Sequence, residues 1–384
     1  MRCIVKKALK IAIIGVVVFG LVFAGAGWYF SNVLRADALE NSPPERFYET
    51  TVIEVTGDTV TLEEGPSDDV QLFADGVYGL AWETGYGQIG EIIDTDGDLV
   101  TRRFSHLSGQ PLGLDHLTDV DSFAFPPDPA VLGRNYQTVQ YESELGPMDA
   151  WLVEGQGSTW LVVIHGKGVG PVDGMRMLDA AGQRGMPALL ITYRNDVDQP
   201  QDPSGFYQYG QTEWRDLEAA VEYAQGEGAE QVVLVGLSTG AGIILEYLDQ
   251  AQSADHVAGI IFDSANIDLG ATIDHVASQR KIPGTPLPLP QMLTSTAKWL
   301  AGMRFDIDWD ALNYIEDEDY SIPTLAFHGG DDLRVPGETS ESYANANPEV
   351  RLITVEDADH VESWNNDPER YKTEVEEFLG SLGS

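Results

Sequence analysis

The sequence predicts an α/β fold in which a mostly parallel sheet is flanked by helices, preceded by a transmembrane helix and a small β-rich module. Three observations support this prediction: an uncharged apolar run near the amino terminus, short alternating segments in the next hundred residues, and regular alternation of strands and helices thereafter. We expect a cytoplasmic tip and membrane anchor over residues 1–35, the β-rich module over 36–135 and the α/β domain over 136–384.

Composition excludes several classes of protein. The 384 residues include 22 Lys and Arg against 62 Asp and Glu, giving a formal net charge of −40. So acidic a surface repels phosphate backbones, and we therefore expect no nucleic-acid partner. The only cysteine, Cys3, allows neither an intramolecular disulfide nor a thiolate site in the folded part. Neither a metal-ligand constellation nor a dinucleotide fingerprint occurs, so we expect no cofactor and no metal.

The apolar run over residues 11–30 has about the length that a helix needs to cross a bilayer. Four basic residues precede it and most acidic residues follow it, which predicts a cytoplasmic amino terminus and a domain outside the cell membrane. The alternative is a cleaved signal peptide and a secreted protein, because Ala24-Gly25-Ala26 resembles a cleavage site.

The segment between the apolar run and residue 135 is rich in turn and strand signals. Residues 41–44 contain two prolines and indicate a linker, after which alternating runs are separated by Gly-Asp and Asp-Gly pairs. Residues 94–98 are acidic, but their glycine is misplaced for a calcium loop, so a hairpin turn is predicted there. The role of this module, as an outer flap or a spacer, stays open.

The α/β part is organised around Gly236-Leu237-Ser238-Thr239-Gly240. The β-branched run 232–235 before it is typical of a buried parallel strand, and helical spacing resumes after it. A serine on so tight a strand-to-helix turn needs small neighbours two residues away on each side. This pattern is the nucleophile elbow, G-x-S-x-G, which exposes the serine oxygen at the carboxyl edge of a sheet.

A serine hydroxyl becomes a good nucleophile only when an imidazole accepts its proton and a carboxylate orients that imidazole. His360 follows the predicted strand 350–355 and is the candidate base. The candidate acids are Asp332 and Asp331, after the predicted strand 324–328, and Asp263, after the predicted strand 257–262. The strand-end positions leave the choice among these three open.

An oxyanion hole requires two backbone N–H groups directed at the developing negative charge. One is expected from Thr239, the residue after the nucleophile. The other is expected from the main chain of Lys167, in the loop His165-Gly166-Lys167-Gly168 after the predicted strand 160–165. The alternative for this loop is a flexible glycine-rich turn without a catalytic role.

Together these motifs make residues 136–384 resemble an α/β-hydrolase of the lysophospholipase-like or serine-aminopeptidase-like esterase branches. The resemblance rests on the oxyanion loop, the elbow, the acid turn 328–336 and the histidine loop 359–364. The family's acid position, H-G-x-x-D-x-x-V-P, selects Asp332. The resemblance also implies that residues 264–321 form a lid or cap over the serine. Apolar residues recur there at helical spacing and would either contact acyl chains or pack in the core. They are Met292, Leu293, Trp299, Leu300 and Met303.

The resulting hypothesis is a membrane-anchored, extracytoplasmic serine hydrolase that cleaves small carboxylic esters, including lipid-like ones. Ser238, Asp332 and His360 would form the triad, and Thr239 and Lys167 the oxyanion hole. Two alternatives remain: a peptidase or amidase with the same triad, and an inactive hydrolase domain in which residues 41–135 provide a binding function.

Overall fold

The computed structural model describes residues 20–382 except 22, 68–69 and 316–320. Half of the predicted membrane segment, residues 11–19 and 22, therefore lies outside the described residues. Within the described part of the chain, no helix combines the length and hydropathy needed to cross a bilayer.

A helix at the amino-terminal end of the described chain, α1, packs directly on the α/β domain. It covers residues 23–34 and continues as the π-helical turn Arg35–Leu39. Leu39 is fully buried, and the Tyr209 hydroxyl donates to the Ala38 carbonyl oxygen at 2.7 Å. The boundary predicted after residue 35 therefore falls inside one continuous helical segment.

The β-rich module is a closed barrel of six strands in the order β1-β2-β5-β4-β3-β6, with every neighbouring pair antiparallel. Closure leaves no free sheet edge within the barrel. Residues 94–96 end β4, and Gly97 and Asp98 form the tight hairpin turn to β5, as predicted. The strands are β1 Thr50–Thr56, β2 Thr59–Glu63, β3 Tyr78–Trp82, β4 Gly85–Asp96, β5 Leu99–Gly109 and β6 Leu117–Asp121.

The α/β part contains one sheet of eight strands in the order β14-β13-β12-β11-β9-β10-β8-β7. The strands predicted at 160–165, 232–235, 257–262, 324–328 and 350–355 are confirmed, and the sheet is parallel except where β8 pairs antiparallel with β10 and β7. The strands are β7 Tyr136–Ser143, β8 Gly146–Val153, β9 Thr159–Ile164, β10 Ala188–Ile191, β11 Gln231–Leu237, β12 Val257–Asp263, β13 Thr324–Gly329 and β14 Val350–Val355.

Helices cover both faces of this sheet, so alternate residues of the central strands enter different cores. Val232 and Leu234 of β11 belong to one core with residues of α3 and α4, whereas Val233 and Val235 belong to the other with residues of α2 and α9. The helices after α1 are α2 Leu178–Gln183, α3 Trp214–Gly226, α4 Thr239–Gln250, α5 Leu269–Ser278, α6 Gln291–Phe305, α7 Gly337–Ala346, α8 Ser363–Asn366 and α9 Pro368–Ser381.

Helices α5 and α6 lie between β12 and β13 in the chain, where the resemblance implied a lid. The side chains that α6 buries are Thr294, Ala297, Ala301 and Phe305. Three residues of the expected apolar stripe, Met292, Trp299 and Met303, are instead more than 60% exposed. The core-packing expectation was wrong at these three positions, because the register of α6 turns the other set of side chains inward.

Candidate active site

The turn between β11 and α4 holds Ser238 in a strained conformation. Its φ is +52° and its ψ is −113°, a combination that non-glycine residues rarely adopt. A Cβ atom on Gly240 would lie 2.2 Å from the Ile164 carbonyl oxygen, and one on Gly236 would lie 2.8 Å from the Ala241 backbone. Both glycines are therefore required by close backbone approach, as the sequence pattern predicted.

His360 and Asp332 converge on this serine from the loops after β14 and β13. The Nε2 atom of His360 lies 2.8 Å from Ser238 Oγ, and its Nδ1 atom lies 2.8 Å from Asp332 Oδ2. Ser238 and His360 are 122 residues apart in the chain, and the parallel sheet brings their loops to one edge. The Asp332 side chain is 1% exposed and the His360 side chain 14%. Solvent therefore reaches the imidazole but not the carboxylate.

The Asp332 carboxylate is held in its charged form. Burial alone would raise its pKa, but hydrogen bonds from His360 and the Val335 main chain outweigh burial and hold the pKa of Asp332 below its usual value. Its Oδ1 accepts from the backbone N–H groups of Arg334 and Val335, both at 2.8 Å. Two backbone donors on one oxygen leave the other oxygen directed at the imidazole.

The other two candidate acids lie elsewhere. Asp331 is exposed, although it is the immediate neighbour of Asp332. Asp263 is fully buried, and its Oδ1 accepts from the Ser363 hydroxyl at 2.9 Å. Burial raises the pKa of Asp263 to about 6, although the nearby Arg176 lowers it in part. The structure therefore brings Asp332 alone of the three acids into a hydrogen bond with His360.

Sequence reasoning missed the residues that hold the histidine loop. Val361 has a φ of +59°, and its N–H donates to Ser264 Oγ at 2.9 Å while its carbonyl oxygen accepts from Arg176 Nη1 at 2.5 Å. Asp359 Oδ1 accepts from the N–H groups of His360 and Leu333, which connects the histidine loop to the acid turn 328–336. These contacts join positions up to 185 residues apart, so no local pattern could reveal them.

The loop after β9 lies against the serine. A Cβ atom on Gly166 would lie 3.3 Å from Ser238 Cβ. The buried His165 ring holds this loop, with Nε2 2.9 Å from Asp196 Oδ2 and Nδ1 2.6 Å from the Gly166 carbonyl oxygen. The loop is thus fixed by buried hydrogen bonds, and it places Lys167 beside Thr239 in the lining of one cavity with Ser238.

This cavity of about 880 Å³ contains the serine and the imidazole. One wall is apolar and comes from Phe30, Val33 and Leu34 of α1 together with residues of α5 and α6. Residues 119–123, at the end of barrel strand β6, and the extended segment before β1 also line the cavity. The volume suits a small-molecule ligand, and three separate parts of the chain enclose it.

The fold and the serine–imidazole–carboxylate arrangement define the class of α/β hydrolases. Residues 161–374, more than half of the chain, match the model of the Alpha/beta hydrolase family, and the protein belongs to that family. Residues 51–115, within the barrel, match a family described as a domain of unknown function (DUF8805). No curated protein sequence is significantly similar to the chain.

Solved structures show the same fold at low sequence identity. The Pyrococcus furiosus esterase Pf2001 in space group P21 is 21% identical, with a TM-score of 0.51, and the match covers 67% of this chain and 96% of that one. The same esterase in space group P212121 gives a TM-score of 0.50 at 21% identity, covering 67% of this chain and 94% of that one. A thermophilic esterase from Thermogutta terrifontis is 20% identical over 65% of this chain and 100% of its own, with a TM-score of 0.44.

Proposed function

We propose that the protein is a serine hydrolase that cleaves carboxylic esters through an acyl-enzyme. The observation that carries this proposal is the hydrogen-bonded series from Ser238 Oγ through the His360 ring to Asp332 Oδ2, with both donor–acceptor distances at 2.8 Å. Such a series is the geometric requirement for an activated serine nucleophile.

In the proposed reaction, Ser238 Oγ attacks the ester carbonyl carbon and His360 Nε2 accepts the hydroxyl proton. Asp332 orients the ring and stabilises the imidazolium that forms. Backbone N–H groups of Thr239 and Lys167 bind the oxyanion, after which His360 returns the proton to the departing alcohol. Water then attacks the acyl-enzyme by the same route and releases the acid.

The assignment is tested by the chemical reactivity of one serine. Purified protein incubated with a fluorophosphonate probe is expected to become labelled, and fragment mass spectrometry should place the label on Ser238. Ser264 provides an internal comparison, because it follows the neighbouring strand β12 and is fully buried. An unlabelled but folded protein, or a label on another serine, would contradict the proposal.

We further propose that the chain is anchored in the cell membrane through residues 11–30, with the catalytic domain outside. In support, Trp28 and Tyr29 at the end of this run are each 53% exposed, and Met292, Trp299 and Met303 of α6 are each more than 60% exposed. Helices α1 and α6 are in contact, since the Arg304 guanidinium lies 3.6 Å from the centroid of the Trp28 ring.

The anchor is tested by fractionation of cells. The protein is expected to stay in the membrane pellet after an alkaline carbonate wash and to be digested by protease added to intact cells. Recovery in the soluble fraction would refute the anchor.

A further inference from the structure

Two positive side chains in the catalytic cavity, Lys167 and Arg334, form no ion pair within the part of the chain that the structure describes. Lys167 follows β9 in the loop after that strand, Arg334 lies two residues after Asp332, and both line the cavity that contains Ser238 and His360. Neither side chain forms an ion pair with any carboxylate among the described residues. The Lys167 ammonium donates instead to a neutral acceptor, the Glu40 carbonyl oxygen, at 3.0 Å.

The charges around Lys167 make this arrangement costly. Burial, and next the nearby charge of Arg334, hold the pKa of the Lys167 ammonium below its usual value. Asp37 and Glu40 oppose that shift, but each already forms an ion pair, with Arg280 at 2.7 Å and with Arg35 at 3.1 Å. An anion between a partly buried lysine and a nearby exposed arginine would stabilise both cations and relieve their mutual repulsion.

The contrast with the other cations of the cavity supports a ligand role. Arg46 is paired with Asp119 and Asp121, Arg176 with Asp173, and Arg280 with Asp37. In a chain with 62 acidic and 22 basic residues, carboxylates are abundant, yet none of the described ones pairs with Lys167 or Arg334. Both cations line the cavity that contains Ser238, so an anion that pairs with them would belong to a bound molecule.

Building on the proposed esterase function, we propose that Lys167 and Arg334 form a subsite for an anionic group of the ester substrate, a carboxylate or a phosphate. The apolar wall formed by α1, α5 and α6 accepts the hydrocarbon part of the same molecule. The preferred substrate is therefore an ester that joins an apolar chain to an anionic group. Arg334 is exposed and its guanidinium suits either anion, whereas Lys167 provides a point charge deeper in the cavity.

The test uses the full-length protein and two matched pairs of esters at about 0.15 M salt. One pair is 4-nitrophenyl butyrate and 4-nitrophenyl hemisuccinate, which differ by a terminal carboxylate; the other is monobutyrylglycerol and its 3-phosphate. The measured quantity is the ratio of kcat/KM for the anionic ester to that for the neutral ester. We expect Arg334→Gln to lower this ratio about tenfold, Arg334→Glu about a hundredfold, and Lys167→Gln about tenfold, in at least one pair.

Arg351→Gln is the matched control, because Arg351 is an exposed arginine on β14 that pairs with Glu374 and does not line the cavity. Its ratio should equal that of the wild type. A fall confined to the hemisuccinate pair identifies a carboxylate, and a fall confined to the phosphate pair identifies a phosphate. Ratios within about threefold of wild type for all three variants in both pairs would overturn the subsite. If the wild type neither hydrolyses the neutral esters nor reacts with the fluorophosphonate probe, the esterase function itself is refuted.

Discussion

Ser238→Ala and His360→Ala are each expected to lower kcat for ester hydrolysis by at least about 10⁴-fold. The first variant removes the atom that forms the acyl-enzyme, and the second removes the group that lies 2.8 Å from that atom and accepts its proton. Because the two residues act as one unit, the double variant should be no slower than the worse single variant within about threefold. The measurement is kcat on 4-nitrophenyl butyrate with a correction for the uncatalysed rate.

Ser158→Ala is the matched control for this pair of variants. Ser158 is an exposed serine before β9 whose hydroxyl donates to Glu230, so its loss should leave kcat unchanged. Thermal unfolding of each variant should stay close to wild type, since neither side chain contributes to a hydrophobic core. A Ser238→Ala protein that retains more than about a hundredth of the wild-type kcat would show that another group is the nucleophile.

Asp332→Asn is expected to lower kcat by about 10⁴-fold, with a much smaller change in KM. The Asp332 carboxylate accepts from His360 Nδ1, and this hydrogen bond keeps Nε2 free to receive the serine proton. An amide nitrogen in that place would instead favour the tautomer with its proton on Nε2, which cannot act as a base. Single-turnover burst kinetics on the same ester would show slower acylation.

Asp331→Asn tests the neighbouring acid in the same loop. Asp331 is exposed, whereas the Asp332 carboxylate is buried between the imidazole and two backbone donors, so this variant should keep kcat within about twofold. A larger loss for Asp331→Asn than for Asp332→Asn would reverse the assignment of the acid. Equal losses would indicate that the loop conformation, and not one carboxylate, controls the rate.

Local patterns allowed the sheet and the elbow to be predicted. The strands β9 and β11 are buried on both faces. Such strands are continuous apolar runs, which distinguishes them from polar loops in the sequence. Gly236 is required by the backbone of the turn itself and Gly240 by the carbonyl oxygen of Ile164 on β9, so the five-residue pattern records both close approaches. Strand ends also located His360, because a parallel sheet collects its carboxyl ends at one edge. They left three candidate acids open, and only the resemblance to the family selected Asp332 among them.

Features that depend on contacts between distant residues could not be predicted. Arg176 reaches the Val361 carbonyl oxygen across 185 positions, and nothing around either residue indicates the pairing. Closure of the barrel requires β1 to meet β6, which alternation within each strand does not specify. Likewise, the orientation of α6 depends on the residues that pack beneath it. The sequence alone therefore did not reveal that Met292, Trp299 and Met303 are exposed.

The packing of α1 against the catalytic domain has a consequence for protein production. A version that begins at residue 36, chosen to remove the apolar run and improve solubility, would also remove Phe30, Val33 and Leu34 from the cavity wall. Such a shortened protein would expose the catalytic serine to bulk water on that side and would discriminate poorly between acyl chains. Weak or unselective activity of that fragment would therefore reflect a missing wall, and detergent-solubilised full-length protein is the proper preparation for measuring specificity.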